Sequence, residues 1–259
     1  MNPSQLPLAG RRALVVGVAN EHSIAWGCAQ ALHRQGARVV LSCLNDKAAA
    51  VVAPLAHSLQ APLLRCDVAQ DGAIAQLVQA AASHLGGLDT VVHSIAWAPL
   101  AELQGRFVDV GADGFARAMR ISCHSFVELA RESEPHLRAA GGGTLLTMSY
   151  LGAEGAVAHY GLMGPVKAAL EASVRYLAAE LGPAGIRVHA VSPGPVPTRA
   201  ASGLQGFDEL LAHAHTAAPL RREVTLDEIG ALAAFLAGPG ATGMSGQTLF
   251  VDGGLHAVR

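Results

Sequence analysis

Two of the three tyrosines in this 259-residue chain, Tyr150 and Tyr160, and one of its two lysines, Lys167, fall within residues 149–167, while Tyr176 and Lys47 stand apart. Tyr160 and Lys167 are seven residues apart. On a helix, seven steps of about 100° leave two side chains only about 20° apart around the axis and about two turns apart along it. A neighbouring ammonium favours phenolate and strengthens a phenol's hydrogen bond to a developing oxyanion, so the pair suits polarisation of a carbonyl. For an arbitrary pair, the alternative is a packed tyrosine beside a solvated lysine. Three features favour chemistry here. Lysine is rare where arginine supplies the other basic residues, Gly152 and Gly155 thin the approach to Tyr160, and the segment follows the fifth apolar run of the chain.

The elements that must hold this pair show up as an alternation of apolar, β-branched runs with Ala/Leu-rich segments at helical spacing. Strands are predicted at 13–16, 38–43, 62–66, 90–93, 144–148, 187–191 and 248–251, and helices at 23–35, 47–58, 72–85, 111–139, 160–181 and 226–237. Gly36, Gly86 and Gly182 fall just past helix ends, where a left-handed cap is expected. No repeat or linker interrupts the series, so one α/β domain over 1–259 is expected, a doubly wound parallel seven-stranded sheet with helices on both faces. Such sheets bind ligands beyond the carboxyl ends of their strands. Residues 193–225 break the rhythm with a long connection holding a short amphipathic stretch at 207–214, which reads as a substrate lid.

The first predicted strand runs into Gly17-Val-Ala-Asn-Glu-His-Ser-Ile-Ala-Trp-Gly27, a turn into a helix whose free N–H groups could receive a pyrophosphate. The three-glycine dinucleotide fingerprint is absent, and an ordinary strand-to-helix turn explains the segment equally well. After the second strand stand Leu44, Asn45, Asp46 and Lys47. Only Lys47 could meet a ribose 2′-phosphate there and Asp46 would repel one, so NADH is expected over NADPH. Asp67 and Val68, after the third strand, could bind an adenine, or Asp67 could cap the following turn.

Composition excludes several classes. Apolar types make up 51% of the chain and charged types 15%, far from the balance of a disordered protein. The formal net charge is -2, without any Lys/Arg run for a phosphate backbone, so no nucleic-acid partner is expected. Cys28, Cys43, Cys66 and Cys123 are widely spaced and fit reduced thiols in a cytoplasmic protein. The amino-terminal octet resembles neither a signal nor a transit peptide. The uncharged stretch 230–251 carries five glycines and Pro239 and reads as helix, loop and strand, so no membrane partner is expected. His213 and His215 are two apart, the wrong spacing for one helical face, and no metal site is expected. Ser149 lies in no Gly-x-Ser-x-Gly elbow, which argues against a hydrolase triad.

Taken together, Gly17 to Gly27, Cys66-Asp-Val68, His93-Ser-Ile-Ala-Trp-Ala-Pro99, Ser149-Tyr-Leu-Gly-Ala-Glu154, Tyr160-Gly-Leu-Met-Gly-Pro-Val-Lys167 and Val251-Asp-Gly-Gly254 resemble the enoyl-acyl-carrier-protein reductases of the divergent short-chain dehydrogenase/reductase type. These segments span nearly the whole chain in order. Ordinary members of that superfamily place three residues between Tyr and Lys, and here Met163 occupies the nearer position.

The resemblance implies a Rossmann-type fold and hydride delivery from NADH, or NADPH, to the β-carbon of a trans-2-enoyl thioester. The thioester would be carried on acyl carrier protein or coenzyme A, and the assembly would be a homo-oligomer, a tetramer in this family. It also implies that Gly17, Ser23 and Ile24 hold the pyrophosphate, with Leu44 beside the adenosine ribose and Asp67 and Val68 at the adenine. Ser94, Ile95, Val196, Pro197 and Thr198 would hold the nicotinamide half, with Lys167 on its ribose. Tyr160 would donate to the thioester oxygen, with Tyr150, Ala96, Trp97, Ala98 and Met163 lining the substrate pocket.

Family members commonly carry Gly at the place of Ala96, Gln or a basic residue near Leu44, and a non-proline at the place of Pro165. Pro165 predicts a kink between Tyr160 and Lys167. The lid segment Gln205-Gly-Phe-Asp-Glu209 is acidic where members often present basic residues to the acidic carrier. Two rival functions are a ketone or alcohol oxidoreductase on the same fold, against which the Tyr–Lys spacing speaks, and a nicotinamide-binding regulator without turnover.

Overall fold

The structure, a computed structural model, describes residues 6–258, and residues 1–5 of the amino-terminal octet lie outside the described residues. Seven strands form one sheet: β1 (Arg12–Val16), β2 (Arg38–Cys43), β3 (Leu63–Arg65), β4 (Thr90–His93), β5 (Gly143–Met148), β6 (Ile186–Pro193) and β7 (Gln247–Val251). Their order is β3-β2-β1-β4-β5-β6-β7, and every pairing is parallel. The strands are continuous apolar runs because both faces are covered. Against one face lie α3 (Ala73–Leu85), α6 (Ser125–Ala139) and α7 (Met163–Leu181), packed through Leu77, Phe126 and Val174. Against the other lie α1 (Ile24–Arg34), α2 (Asp46–Ser58) and α9 (Leu226–Ala237), packed through Leu32, Val52 and Ala233. Each Leu or Phe so enclosed contributes about 1.5–3 kcal/mol of transfer free energy.

The predicted doubly wound sheet is thus present, with local corrections. The long predicted helix 111–139 is divided into α5 (Ala112–Met119), a π-helical turn at Arg120–His124, and α6. A short helix α4 (Leu100–Gln104) follows β4, and the predicted lid stretch is the longer α8 (Phe207–Ala217). Gly36 and Gly86 are left-handed as expected, but Gly182 is helical at φ -53, and Gly185 at φ 73 makes the reversal instead.

The most consequential correction concerns α7. It begins at Met163, not Tyr160, because Gly161 takes φ 44 and interrupts the helical path. Pro165 therefore lies in the first turn, where a backbone donor has no intrahelical acceptor to lose. The expected kink between Tyr160 and Lys167 has no basis in this geometry.

At the amino-terminal ends of the strands, Asp89 is buried and saturated with donors. It accepts from Arg12 Nε at 2.7 Å, Arg12 backbone N at 2.9 Å, Arg12 Nη2 at 3.2 Å and Arg11 Nη1 at 3.3 Å. Burial pushes its carboxyl up, but the Arg12 hydrogen bonds and charge prevail and hold it below the ordinary value. Among the described residues no helix is long and apolar enough to cross a membrane, and no cluster of three metal-ligating side chains forms.

Candidate active site

Parallel pairing brings the ends of β1, β2, β3, β4, β5 and β6 to one edge, and the sequence-predicted residues follow them there. Gly17 leaves β1 at φ 101, and a Cβ on it would sit 2.4 Å from the Ser94 carbonyl oxygen. Only glycine permits both the conformation and the approach. Ser23 is the N-cap of α1 by its backbone, but its side chain caps nothing: Oγ donates to the Asn20 carbonyl at 2.6 Å. The N–H groups of Ile24 and Ala25 precede the first intrahelical bonds of α1, which Trp26 and Gly27 make to the Ser23 carbonyl, so the helix start suits an anion.

Leu44, 55% exposed, follows β2. Beside it Asp46 pairs with Arg65 at the end of β3, a cation that sequence reasoning overlooked because it lies nineteen residues away. Asp67 accepts from Ala69 N at 3.0 Å, which is the turn-capping role, and Val68 is buried. Beyond β4, Ser94 and Ile95 are half-buried, while Ala96 is exposed. Beyond β6, Val196 is buried, Pro197 is exposed, and Thr198 accepts from Ala201 N through Oγ1 at 3.2 Å.

The catalytic candidates meet at β5 and α7. Lys167 is 3% exposed, and its Nζ donates to the Met148 carbonyl at 2.6 Å. An ammonium has three protons, so a buried one with a single acceptor among the described residues keeps donors to offer. Desolvation brings its pKa down to about 8, against the Cys123 and Glu171 charges, which raise it. One turn further along α7, Glu171 is buried and accepts from the Ser149 hydroxyl, which anchors the end of β5 just before Tyr150. The i,i+4 spacing from Lys167 was a signal for Glu171 in the sequence.

Tyr160 is buried, and its ring centroid is 4.6 Å from that of Tyr150 at an interplanar angle of 53°. The ring covers Gly152, where a Cβ would lie 2.4 Å from Tyr160 Cδ1. Burial, with Tyr150 and Glu171 adding to it, raises the Tyr160 pKa, and burial with the Asp252 charge raises that of Tyr150 to about 12. Both are therefore phenols at neutral pH, donors and not phenolates, the form in which Tyr160 was expected to act. Tyr160, Met163 and Ala98 share one buried apolar cluster, with Ile95, Trp97 and Tyr150 packed against it. Beside Tyr160 opens a cavity of about 610 Å³ lined by Leu103, Phe107, Val157, His159 and Gln205.

The parallel sheet with a Tyr–Lys pair beyond β5 and an anion-receptive turn beyond β1 defines a nicotinamide-dependent short-chain reductase. The family model described as enoyl-(acyl carrier protein) reductase matches residues 17–256. The chain is 45% identical to the NADH-dependent enoyl-[acyl-carrier-protein] reductase FabI of Escherichia coli K12 over 249 residues, 95% of this chain and 94% of that protein. It is 43% identical to an Anaplasma phagocytophilum enoyl-(acyl-carrier-protein) reductase solved in complex with NAD, with a TM-score of 0.93 over 98% of this chain and 96% of the other. A Bacillus cereus enoyl-acyl carrier protein reductase solved with NADP+ and an indole naphthyridinone is 40% identical, with a TM-score of 0.94 over 98% and 99%. The chain belongs to the enoyl-acyl-carrier-protein reductase family.

Proposed function

We propose that this protein reduces the carbon–carbon double bond of trans-2-enoyl thioesters with NADH, a reductive step of fatty acid biosynthesis. The observation that carries the reading is the buried Lys167 ammonium with spare donors, set at the same strand edge as two tyrosines in tilted ring contact, both protonated. Gly17, Ser23, Ile24, Leu44, Asp67, Val68, Ser94, Ile95, Val196, Pro197 and Thr198 hold the dinucleotide along the strand ends, and Lys167 holds the nicotinamide ribose. The bound reduced nicotinamide supplies a hydride to the β-carbon of the substrate.

As that bond forms, the π electrons move toward the thioester oxygen, and the α-carbon subsequently takes a proton. Tyr160 donates its hydroxyl to this oxygen while the enolate charge develops, an interaction stronger in the transition state than in the ground state. Tyr150, Ala96, Trp97, Ala98 and Met163 exclude water and line the acyl path. Residues 193–225 close over it as a lid within a single domain. A homotetramer in the cytoplasm is supported by the exposed Tyr176 on α7 and the half-buried apolar edge of β7, and by four buried free cysteines.

The lid's acidity has a local cause: Asp208 and Glu209 lie in the first turn of α8, where the helix dipole favours negative charge. Of the nearby cations, Arg222 is held by Glu228 at 2.6 and 3.0 Å, which leaves Arg199 and Arg221 to meet an acidic carrier protein. Discrimination between enoyl chains on the carrier protein and on coenzyme A is accordingly small. The test follows NADH absorbance with crotonyl-CoA, acetoacetyl-CoA and no substrate. Consumption with crotonyl-CoA alone supports the reading, consumption with acetoacetyl-CoA alone replaces it with a ketone reductase, and NADH binding without consumption replaces it with a non-catalytic cofactor-binding protein.

A further inference from the structure

The π-helical turn Arg120–His124 between α5 and α6 lies directly under the segment that joins β4 to α4. Ser122, fully buried in that turn, uses one hydroxyl for both main-chain groups of Trp97: Oγ accepts from Trp97 N–H at 2.7 Å and donates to the Trp97 carbonyl at 2.7 Å. A second serine fastens the other end of the same segment. Ser125 donates to the Ile121 carbonyl at 2.6 Å, so its oxygen is the acceptor for His93 Nε2 at 2.8 Å. His93 Nδ1 then accepts from Thr147 Oγ1 at 2.9 Å on β5. This imidazole is neutral, since burial brings its pKa down to about 3.

Residues 94–96 are thus suspended between two serine clamps, Ser122 in the π-turn and Ser125 at the first residue of α6. The Arg117 guanidinium from α5 lies 4.6 Å over the Trp97 ring and adds a third hold on that residue. A regular α-helical register would carry one residue fewer through this turn, and π-turns recur where a helix must aim side chains at a site. The two clamps serve different neighbours. The His93 end continues a central strand beside β1 and β5, whereas the Trp97 end leads into Ala98 and the apolar cluster shared with Tyr160 and Met163.

We propose that Ser122 is a positioning residue for the enoyl substrate, fixing the Trp97–Ala98 backbone against the acyl path while leaving the dinucleotide site to other anchors. The inference rests on the enoyl-reductase reading. Replacing Ser122 by Ala leaves two buried main-chain groups of Trp97 without this partner, and the segment relaxes at its substrate end.

The test compares parent, Ser122→Ala and Ser122→Cys, with Ser133→Ala as control, since Ser133 is a buried serine on α6 with no hydrogen-bond partner among the described residues. For Ser122→Ala we expect KM for crotonyl-CoA to rise about ten-fold, with the NADH dissociation constant within about two-fold of the parent. Ser122→Cys, near in size but a weak hydrogen-bonding group, falls between them and carries the test if the alanine variant does not fold. Ser133→Ala stays at the parent values.

A readout independent of turnover is acrylamide quenching of indole fluorescence, which increases in the Ser122 variants as Trp97 loosens. An unchanged KM in folded Ser122→Ala overturns the proposal, as does an equal loss of NADH affinity, which would mark a merely structural role. A parent that reduces no enoyl thioester overturns the functional reading instead. The quenching then decides separately whether Ser122 sets the loop, and unchanged quenching overturns that as well.

Discussion

The two edges of the sheet bury charge in opposite ways. At the amino-terminal edge, Asp89 takes four hydrogen bonds from Arg11 and Arg12, and Arg187 is spent on the Ala241 carbonyl and Thr144 Oγ1. These groups are matched to one another within the chain, so they hold strands together. At the carboxyl edge, Lys167 spends a single donor on Met148, and Tyr160 is buried with its hydroxyl in no hydrogen bond among the described residues. Desolvating a charge is costly unless it is fully paired, so incomplete pairing persists where another molecule completes it. The difference separates stability from function by counting donors, without reference to any relative.

Breaking the carboxyl edge should therefore cost activity, with the largest effect at Lys167. Lys167→Ala is expected to lower kcat/KM at least about 10³-fold and to weaken NADH binding, while Lys167→Arg keeps part of the binding, because charge reaches the ribose but geometry at Tyr160 is lost. Fluorescence titration with NADH and steady-state assays separate the two. Tyr160→Phe is expected to lower kcat about 10²–10³-fold, the cost of one oxyanion donor, with NADH affinity nearly unchanged. A ten-fold loss of NADH affinity, about 1.4 kcal/mol, would move Tyr160 from substrate to cofactor.

The amino-terminal edge should break in the opposite sense. Asp89→Ala strands Arg12 and its backbone N–H and is expected to cost about 2–4 kcal/mol of stability, read from denaturant unfolding, with kcat and KM of the folded fraction unchanged. Reduced kcat at full folding would collapse the distinction between the edges.

Smaller effects sharpen it. Lys167, brought down to about 8 by burial, is an ammonium below that pH and a neutral amine above it. The groups facing it are His93, already neutral, Cys123 and Glu171. NADH affinity is therefore flat at lower pH and weakens by up to about ten-fold per unit above about pH 8, a trend that Lys167→Arg removes. The smallest effect belongs to the rim. Asp46→Asn releases Arg65 toward a 2′-phosphate and is expected to improve kcat/KM for NADPH about five-fold while leaving that for NADH within two-fold, since exposed pairs are worth about 1 kcal/mol or less. Unchanged NADPH use would show that Arg65 does not reach the adenosine ribose.

Periodicity and residue type determined much of this protein. Buried β-branched runs separated by helical segments have few solutions other than a doubly wound parallel sheet, and that sheet sends all strand ends to one edge, so Gly17, Asp67, Ser94 and Tyr150 were legible as neighbours. The Tyr160–Lys167 pair was legible too, for a reason the structure revises. The two do not ride one helix, because Gly161 turns the chain before α7 begins, a left-handed step that a pattern of apolar spacings does not record.

Tertiary structure alone decided the rest. That Tyr160 is a phenol and not a phenolate depends on burial, which desolvates the charged form, with Tyr150 and Glu171 acting in the same direction. Glu171, Arg65 and Ser122 gained their roles from partners 22, 19 and 25 residues away in the chain. The π-turn that carries Ser122 to Trp97 inserts one residue between α5 and α6, and the partner it meets there lies on a distant loop. Local sequence specifies the elements because backbone preferences act over a few residues; it leaves open which polar groups end up saturated and which keep a donor, because only the packed chain settles how many partners each one meets.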